Sequence, residues 1–294
     1  PFIELPYNTH SLNLSKERVT GNQIREDRMP RDDRHGNRQV GGDIVVDLRA
    51  DDYDELIAAA MFGTWDTTAD QPDFITVGTT PSFLTIEDYA ADVGQQRMFS
   101  GCGISSMAIS IAPNQMVQTT FGVVGKNMTL DQDATVGVPI ATITAASGNA
   151  PFDAYSGAMA IGDATTGSTA SAIITSIDFS VENSLSPTFV IGSDSTPQLE
   201  FGMAMVEGSF TAYFEDEALI NRFLSETETE IEVTVDDPTG VNDYEFLFPK
   251  AKINGADVSV DGPTSRVITI PFVALYDSTE LTNYKITRPD TIPT

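Results

Sequence analysis

The chain has 294 residues, 43 acidic side chains against 16 basic ones, a formal net charge of -27 and a single cysteine. A body this acidic repels phosphate and anionic lipid, which disfavours wrapping nucleic acid by backbone neutralisation, and one cysteine rules out an internal disulfide. No run approaches the roughly 18 apolar residues of a membrane span, and Pro1 to Leu14 lacks the basic-then-apolar pattern of a secretory signal. The expectation is a soluble chain made in the cytosol, with Cys102 as a small core residue. Thr, Ser, Gly, Asp and Val are plentiful and Lys is scarce, which suits a mainly β protein of many short strands and turns. The length suits one large domain or two ordinary ones, and two are expected.

Charge is unevenly placed. Residues 1–49 hold 8 basic and 8 acidic residues, whereas the remaining 245 hold 8 and 35. Within that balanced stretch, residues 16–39 carry almost no large apolar side chain and mix Arg with Asp and Glu, which predicts an arm or a long loop. Arg25, Arg28, Arg31, Arg34 and Arg38 could pair bidentately with acids of a neighbouring subunit; a solvated flexible loop is the plainer alternative. From Val40-Gly41-Gly42 onward the pattern alternates, with Ile44, Val46 and Leu48 on one face and Asp43, Val45, Asp47 and Arg49 on the other, so a strand is expected. Asp51 and Asp52 are candidate caps for a helix carrying Tyr53, Leu56, Ile57, Ala60 and Met61 along one stripe, ended by Gly63. After a loop containing Trp65 and Pro72, strands are expected near 82–87, 96–100, 103–111 and 115–124.

The segment 129–150 is small, polar and turn-rich and reads as a linker, with a domain boundary near 148. Beyond it the plan recurs. Val206-Glu207-Gly208 opens an alternating strand, Glu215 and Asp216 stand as caps, and Leu219, Ile220, Phe223 and Leu224 follow at helical spacing. A constant offset of 149 aligns Thr85-Ile86-Glu87-Asp88 with Thr234-Val235-Asp236-Asp237 and Ile109-Ser110-Ile111 with Val258-Ser259-Val260. These matches predict an internal duplication: residues 1–148 as the first domain, with its charged arm at 16–39, and residues 149–294 as the second.

Catalytic patterns are weak throughout. Both histidines, His10 and His35, lie in the polar amino-terminal region, away from any triad or His-rich metal site. Gly101-Cys102-Gly103 lacks the last glycine and the following helix of a dinucleotide loop, so a structural turn is expected. Gly125-Lys126 is followed by Asn127 where a phosphate loop needs Ser or Thr. Asp131-Gln132-Asp133-Ala134-Thr135 begins like a calcium loop, but Val136 stands where Gly is required. Adjacent acids such as Asp236-Asp237 on a strand face opposite ways and make no dyad. No enzyme, metal or cofactor is expected.

In order along the chain, RHGNRQVGGDI, DDYDELIAAAMFGTW, RMFSGCGISSMAISIAPNQMVQTTFGVVGKNM, VEGSFTAYFEDEALINRFL and ITIPFVALYD resemble the tail tube family of long-tailed bacteriophages. That resemblance covers most of residues 10–288. It implies two tandem β-sandwich tube domains, each with a flanking α-helix, whose inner sheets close into a ring-shaped β-barrel. It further implies a structural subunit of the virion tail, assembled in the host cytoplasm into stacked rings that conduct the genome. The family's six tube domains per ring would need three such chains, a homotrimeric pseudo-hexamer. The implied partners are the chain itself, a tape measure protein, tail terminator and tail tip proteins, and double-stranded DNA in transit, with no membrane. On this reading Asp43, Asp47 and Glu215 are candidates to line the lumen, because they alternate with the apolar face of the two recurring strands. The rival reading is a secreted acidic β-sandwich, an adhesin or carbohydrate-binding module.

Overall fold

The computed structural model describes residues 2–24, 26–27, 29, 32–130, 143–163, 167–170, 174–214, 217–240, 242–259 and 266–289. Arg25, Arg28, Arg31, the calcium-like stretch 131–135 and the expected caps Glu215 and Asp216 lie outside them. The first half contains β1 (Phe2–Ile3), β2 (Thr9–His10), β3 (Asn13–Thr20), β4 (Asp33–Asp47), α1 (Asp54–Met61), β5 (Asp73–Thr76), β6 (Leu84–Ala90), β7 (Gln95–Ile111), β8 (Gln118–Gly125), β9 (Asn127–Leu130) and β10 (Ile143–Thr144). The second contains β11 (Ala158–Asp163), β12 (Gly167–Ala170), β13 (Ile174–Glu182), β14 (Ser186–Pro187), β15 (Leu199–Glu200), β16 (Met205–Tyr213), α2 (Ala218–Leu224), β17 (Thr229–Asp236), β18 (Asp243–Ile253), β19 (Asp257–Ser259), β20 (Val267–Ala274) and β21 (Lys285–Arg288).

Period-two alternation turns directly into burial. Ile44, Val46 and Leu48 on β4 are buried, and Asp43, Val45 and Asp47 point the other way. The expected arm is the outer part of a hairpin, in which β3 and β4 pair antiparallel from Asn13↔Gly41 out to Thr20↔Asp33. Strand β7, expected as two strands, is one element of 17 residues that serves two layers. Its first half pairs with β6 and β9, its second half with β8 and β13. The change falls at Gly101, whose φ of +63° is open to glycine at little cost, so the expected turn is a kink within a strand. Cys102 beside it is fully buried, and burial pushes its thiol up to about 12.

Helix α1 begins at Asp54 without a side-chain cap, which corrects the expectation for Asp51 and Asp52. Both acids are used sideways instead. Asp52 accepts a hydrogen bond from the Ser147 amide at 2.6 Å, and Asp51 accepts one from Asn149 Nδ2 at 3.2 Å. With Phe152 N–H donating to the Leu48 carbonyl at 2.8 Å, they strap the end of the expected linker onto the first half. At the other end Phe62, not Gly63, takes the left-handed conformation. Gly63 is needed for space: a Cβ there would meet the Thr76 carbonyl oxygen at 2.6 Å. On α2, Leu219, Ile220 and Phe223 pack against the core, but Leu224 is exposed.

Strand pairing follows one scheme twice. Gly103↔Val124, Ile104↔Val123, Ala108↔Thr120, Ile109↔Thr119 and Ser110↔Gln118 in the first half recur 149 residues later as Lys252↔Val273, Ile253↔Phe272, Asp257↔Thr269, Val258↔Ile268 and Ser259↔Val267. The hairpins before them correspond at a different offset. Leu84↔Cys102 and Ile86↔Phe99 match Thr229↔Ala251 and Ile231↔Phe248, each with a register shift between the two pairs. Ile86 therefore corresponds to Ile231, not to the sequence-aligned Val235, because the hairpin end enclosed by Ile231↔Phe248 is four residues longer than that enclosed by Ile86↔Phe99. The two halves join where β13 runs antiparallel to the second half of β7, from Ile177↔Ile111 to Glu182↔Ser106. Buried Asn183 fastens this joint, donating from Nδ2 to the carbonyls of Ala60 (2.7 Å) and Ile104 (3.2 Å).

Two clusters hold the layers together. Phe179, Phe246, Phe248, Phe272 and Tyr284 meet with ring centroids 4.9–6.5 Å apart, tying β13, β18 and β20 to the segment before β21. The other cluster is polar. Arg288 on β21 lies opposite Asp73 on β5, with Nε 3.3 Å from Asp73 Oδ2 and Nη1 2.6 Å from Asp54 Oδ2, and its guanidinium sits 4.2 Å from the Trp65 ring centroid.

Candidate functional site

One surface is set apart by its composition. Following hydrogen-bonded neighbours gives a continuous sheet β3–β4–β8–β7–β13–β16–β20–β19. Its inner face carries Val46, Phe121, Met107, Phe179, Phe210 and Ile270, all buried. Residues directly opposite on neighbouring strands share a face, so the ladders assign the other side without ambiguity. Asp43, Val45 and Asp47 of β4 lie against Gly122, Thr120 and Gln118 of β8. Ala108 and Ser110 of β7 continue the row, followed by Ser180 and Asp178 of β13, Glu207 and Ser209 of β16, and Val273 and Pro271 of β20. The middle of this face is a shallow open concavity lined by Ala108, Ser110, Gln118, Thr120, Asp178, Ser180, Glu207 and Ser209.

Small and short polar side chains keep that surface low. Gly122 belongs to the same design, since a Cβ there would lie 2.3 Å from Ser106 Oγ, whereas Gly208, opposite Phe179 and Phe272, is needed on the core face, where a Cβ would lie 2.6 Å from Phe272 Cζ. Of the expected lining residues, Asp43 is exposed on this face, and Asp47 is half-buried and accepts a hydrogen bond from Asn8 Nδ2 at 2.7 Å. Glu215 lies outside the described residues. Asp178 and Glu207, exposed in the middle of the face, were missed as site residues. The signal was present: Ile177, Phe179 and Val181 alternate with Asp178, Ser180 and Glu182. Cations stand at the margins of the face, with Arg49 following β4 and Lys252 Nζ 2.8 Å from Glu226 Oε2.

The arginines of the hairpin divide. Arg38 is engaged within its own chain, its Nη2 3.3 Å from Asp194 Oδ1 and its amide donating to the Asp194 carbonyl at 2.8 Å. Arg34 is exposed, and Arg18 pairs with Asp33 at 2.8 Å across the hairpin. Asp236-Asp237 makes a turn, where Asp237 accepts from the Thr239 amide (2.9 Å) and Asn242 Nδ2 (2.8 Å). Among the described residues, no group of three or more His, Cys, Asp or Glu is placed to hold a metal, and no helix is long and apolar enough to cross a membrane.

Crowded acids also set a pH dependence. Burial raises the carboxyls of Asp236, Asp243, Glu245 and Glu182, and neighbouring acids add to the rise at Asp236 and Glu245. A carboxyl with a raised folded-state pKa binds protons more readily folded than unfolded, so stability falls as pH rises through the folded pKa. Glu226 and Asp277 are lowered and act oppositely, but Glu226 is exposed and Asp277 only half-buried, so solvent screening keeps their share small. Thermal unfolding of the unassembled chain is therefore expected at a higher temperature at pH 5 than at pH 8. An unfolding temperature that climbs steadily across that range would contradict this balance.

The profile of the family described as phage tail tube protein matches residues 3–274. A search of curated proteins gives no match. Matched over nearly its whole length, this β-rich chain belongs to the phage tail tube family and is a structural component of the virion tail.

Proposed function

We propose that the chain forms the tail conduit as stacked rings of three copies, each copy supplying two tube-type units to a pseudo-sixfold barrel. The observation that carries this reading is the strand-pairing scheme found twice in one chain, five pairs of it at a constant offset. Within one chain the sheet stays open: among the described residues no pairing joins β3 to β19. Closure then requires further copies in head-to-tail contact. The face bearing Asp43, Asp47, Asp178 and Glu207 lines the lumen, where like charge and low relief let duplex DNA pass without being held. The charged stretch 16–39, with Arg25, Arg28, Arg31 and Arg34, reaches acids of the next ring, since bodies of this net charge stack closely through cationic contacts. Tape measure, terminator and tip proteins are the partners this role calls for.

A helical reconstruction of the purified, polymerised protein tests all of this at once. It is expected to resolve three chains per ring, with the four acids facing a channel and the stretch 16–39 crossing to the adjacent ring. Six chains per ring, or these acids on the outer wall, would overturn the proposal.

A further inference from the structure

The internal joint between the two halves has a counterpart at each end of the chain's own sheet. Strand β13 has two neighbours, β16 on one side and β7 on the other. Segment 9–14 stands to β4 as β13 stands to β16: His10↔Ile44 and Leu14↔Val40 correspond to Ile177↔Phe210 and Val181↔Val206. Its other edge, with no strand along it among the described residues, is the edge that β13 presents to β7. In the same way β19 stands to β20 as the second half of β7 stands to β8, and the open edge of β19 is the one that β7 presents to β13.

We infer that β19 of one copy pairs antiparallel with residues 10–14 of the next, in the register of the internal β7–β13 joint. Transfer of Ala108↔Ser180 and Ile109↔Phe179 sets Asp257 opposite Asn13 and Val258 opposite Leu12 of the neighbouring copy. The inference rests on the ring reading for its closure, and two further observations support the contact itself. Val258 is 37% exposed, although its counterpart Ile109, with β13 alongside, is 2% exposed. An apolar residue on an uncovered edge strand is a site for strand addition. Residues 9–15 are also uncharged but for His10, and the charges of β3 begin at Lys16, so the edge is unguarded only along the stretch this register uses.

The test is a cysteine pair, Asn13→Cys with Asp257→Cys, in the full chain carrying Cys102→Ala. Directly opposed positions on one face bring Cβ atoms about 4.5–5.5 Å apart, close enough to bridge with small backbone shifts. Mild oxidation of the assembled protein is expected to cross-link most chains, with a three-chain species as the largest on a non-reducing gel. Asn13→Cys with Val258→Cys, a one-residue slip to the opposite face, is expected to cross-link at least tenfold less. Val258→Asp is expected to lose assembly more than tenfold while remaining folded by circular dichroism. Polymers that form without the first cross-link, or a Val258→Asp chain that assembles normally, overturn the register while leaving the tube reading standing. A cross-link whose ladder runs beyond three supports the contact and overturns the three-chain ring. A wild-type chain that is folded by circular dichroism but forms no polymer overturns the two together.

Discussion

Arg288→Ala is expected to lower the stability of the unassembled chain by about 3–5 kcal/mol, the usual cost of removing one partner from a buried charge cluster. The guanidinium is 7% exposed and faces Asp73, whose side chain is fully buried, and Asp54 at the start of α1. Burial raises the Asp54 carboxyl, and the hydrogen bond and charge of Arg288 pull it back down. Without the arginine, both carboxylates keep their desolvation cost and lose their countercharge, and Trp65 loses the cation over its ring. At about 2–3 °C per kcal/mol, the unfolding temperature would fall by on the order of 10 °C. The sign of the pH effect identifies the cause: acidification protonates the stranded carboxyls, so the deficit should shrink between pH 7 and pH 5. A loss under 1 kcal/mol, or one independent of pH, would show that the cluster is not held by charge.

Phe248→Ala is expected to cost about 3–5 kcal/mol, the range for emptying a buried aromatic site that cannot collapse. Phe248 is fully buried, with ring centroids of Phe179, Phe272 and Tyr284 at 5.1, 5.2 and 4.9 Å. Its neighbours sit on β13, on β20 and in the segment before β21, so the void would open between layers fixed by separate ladders. Phe248→Leu, which keeps most of the volume, should lose under about 1.5 kcal/mol, and Leu224→Ala on the exposed side of α2 should stay within about 0.5 kcal/mol. Urea unfolding of the unassembled chain gives all three, and equal losses at Phe248 and Leu224 would remove the aromatic cluster as a keystone.

Strands bordering the core were legible because alternation is a local signal: Ile44, Val46 and Leu48 declare their face within five residues. The position of α1 was legible for the same reason, its cap was not. Asp51 and Asp52 have the composition of caps, yet their partners Ser147, Asn149 and Arg288 lie about a hundred or more residues away. Strand β7 read as two because Gly101-Cys102-Gly103 has turn composition, whereas pairing on both sides carries the strand through the kink. The recurring hairpin was visible at the wrong offset, since an ungapped comparison cannot see four extra residues at a hairpin end. On the candidate lumen face, Asp43 and Asp47 were found from their own strand. Asp178 and Glu207 join them only through the ladders that bring β13 beside β7 and β16, which a single strand's pattern does not encode.

The pairing of β5 with β21 orders events during synthesis. Residues 73–76 leave the ribosome some two hundred residues before their partners at 285–288, and Asp73 waits all that time for Arg288. Contacts this distant in sequence form late, after the loop between them has been closed. A chain stopped short of β21 therefore lacks the β5–β21 ladder, keeps for β5 only the Asp66–Phe74 bridge among the pairings of the described residues, and has no Arg288 against Asp54 and Asp73. Quality control of the tail then starts at translation: a truncated product is expected to fail as a folded protein before it can be built into the virion tail.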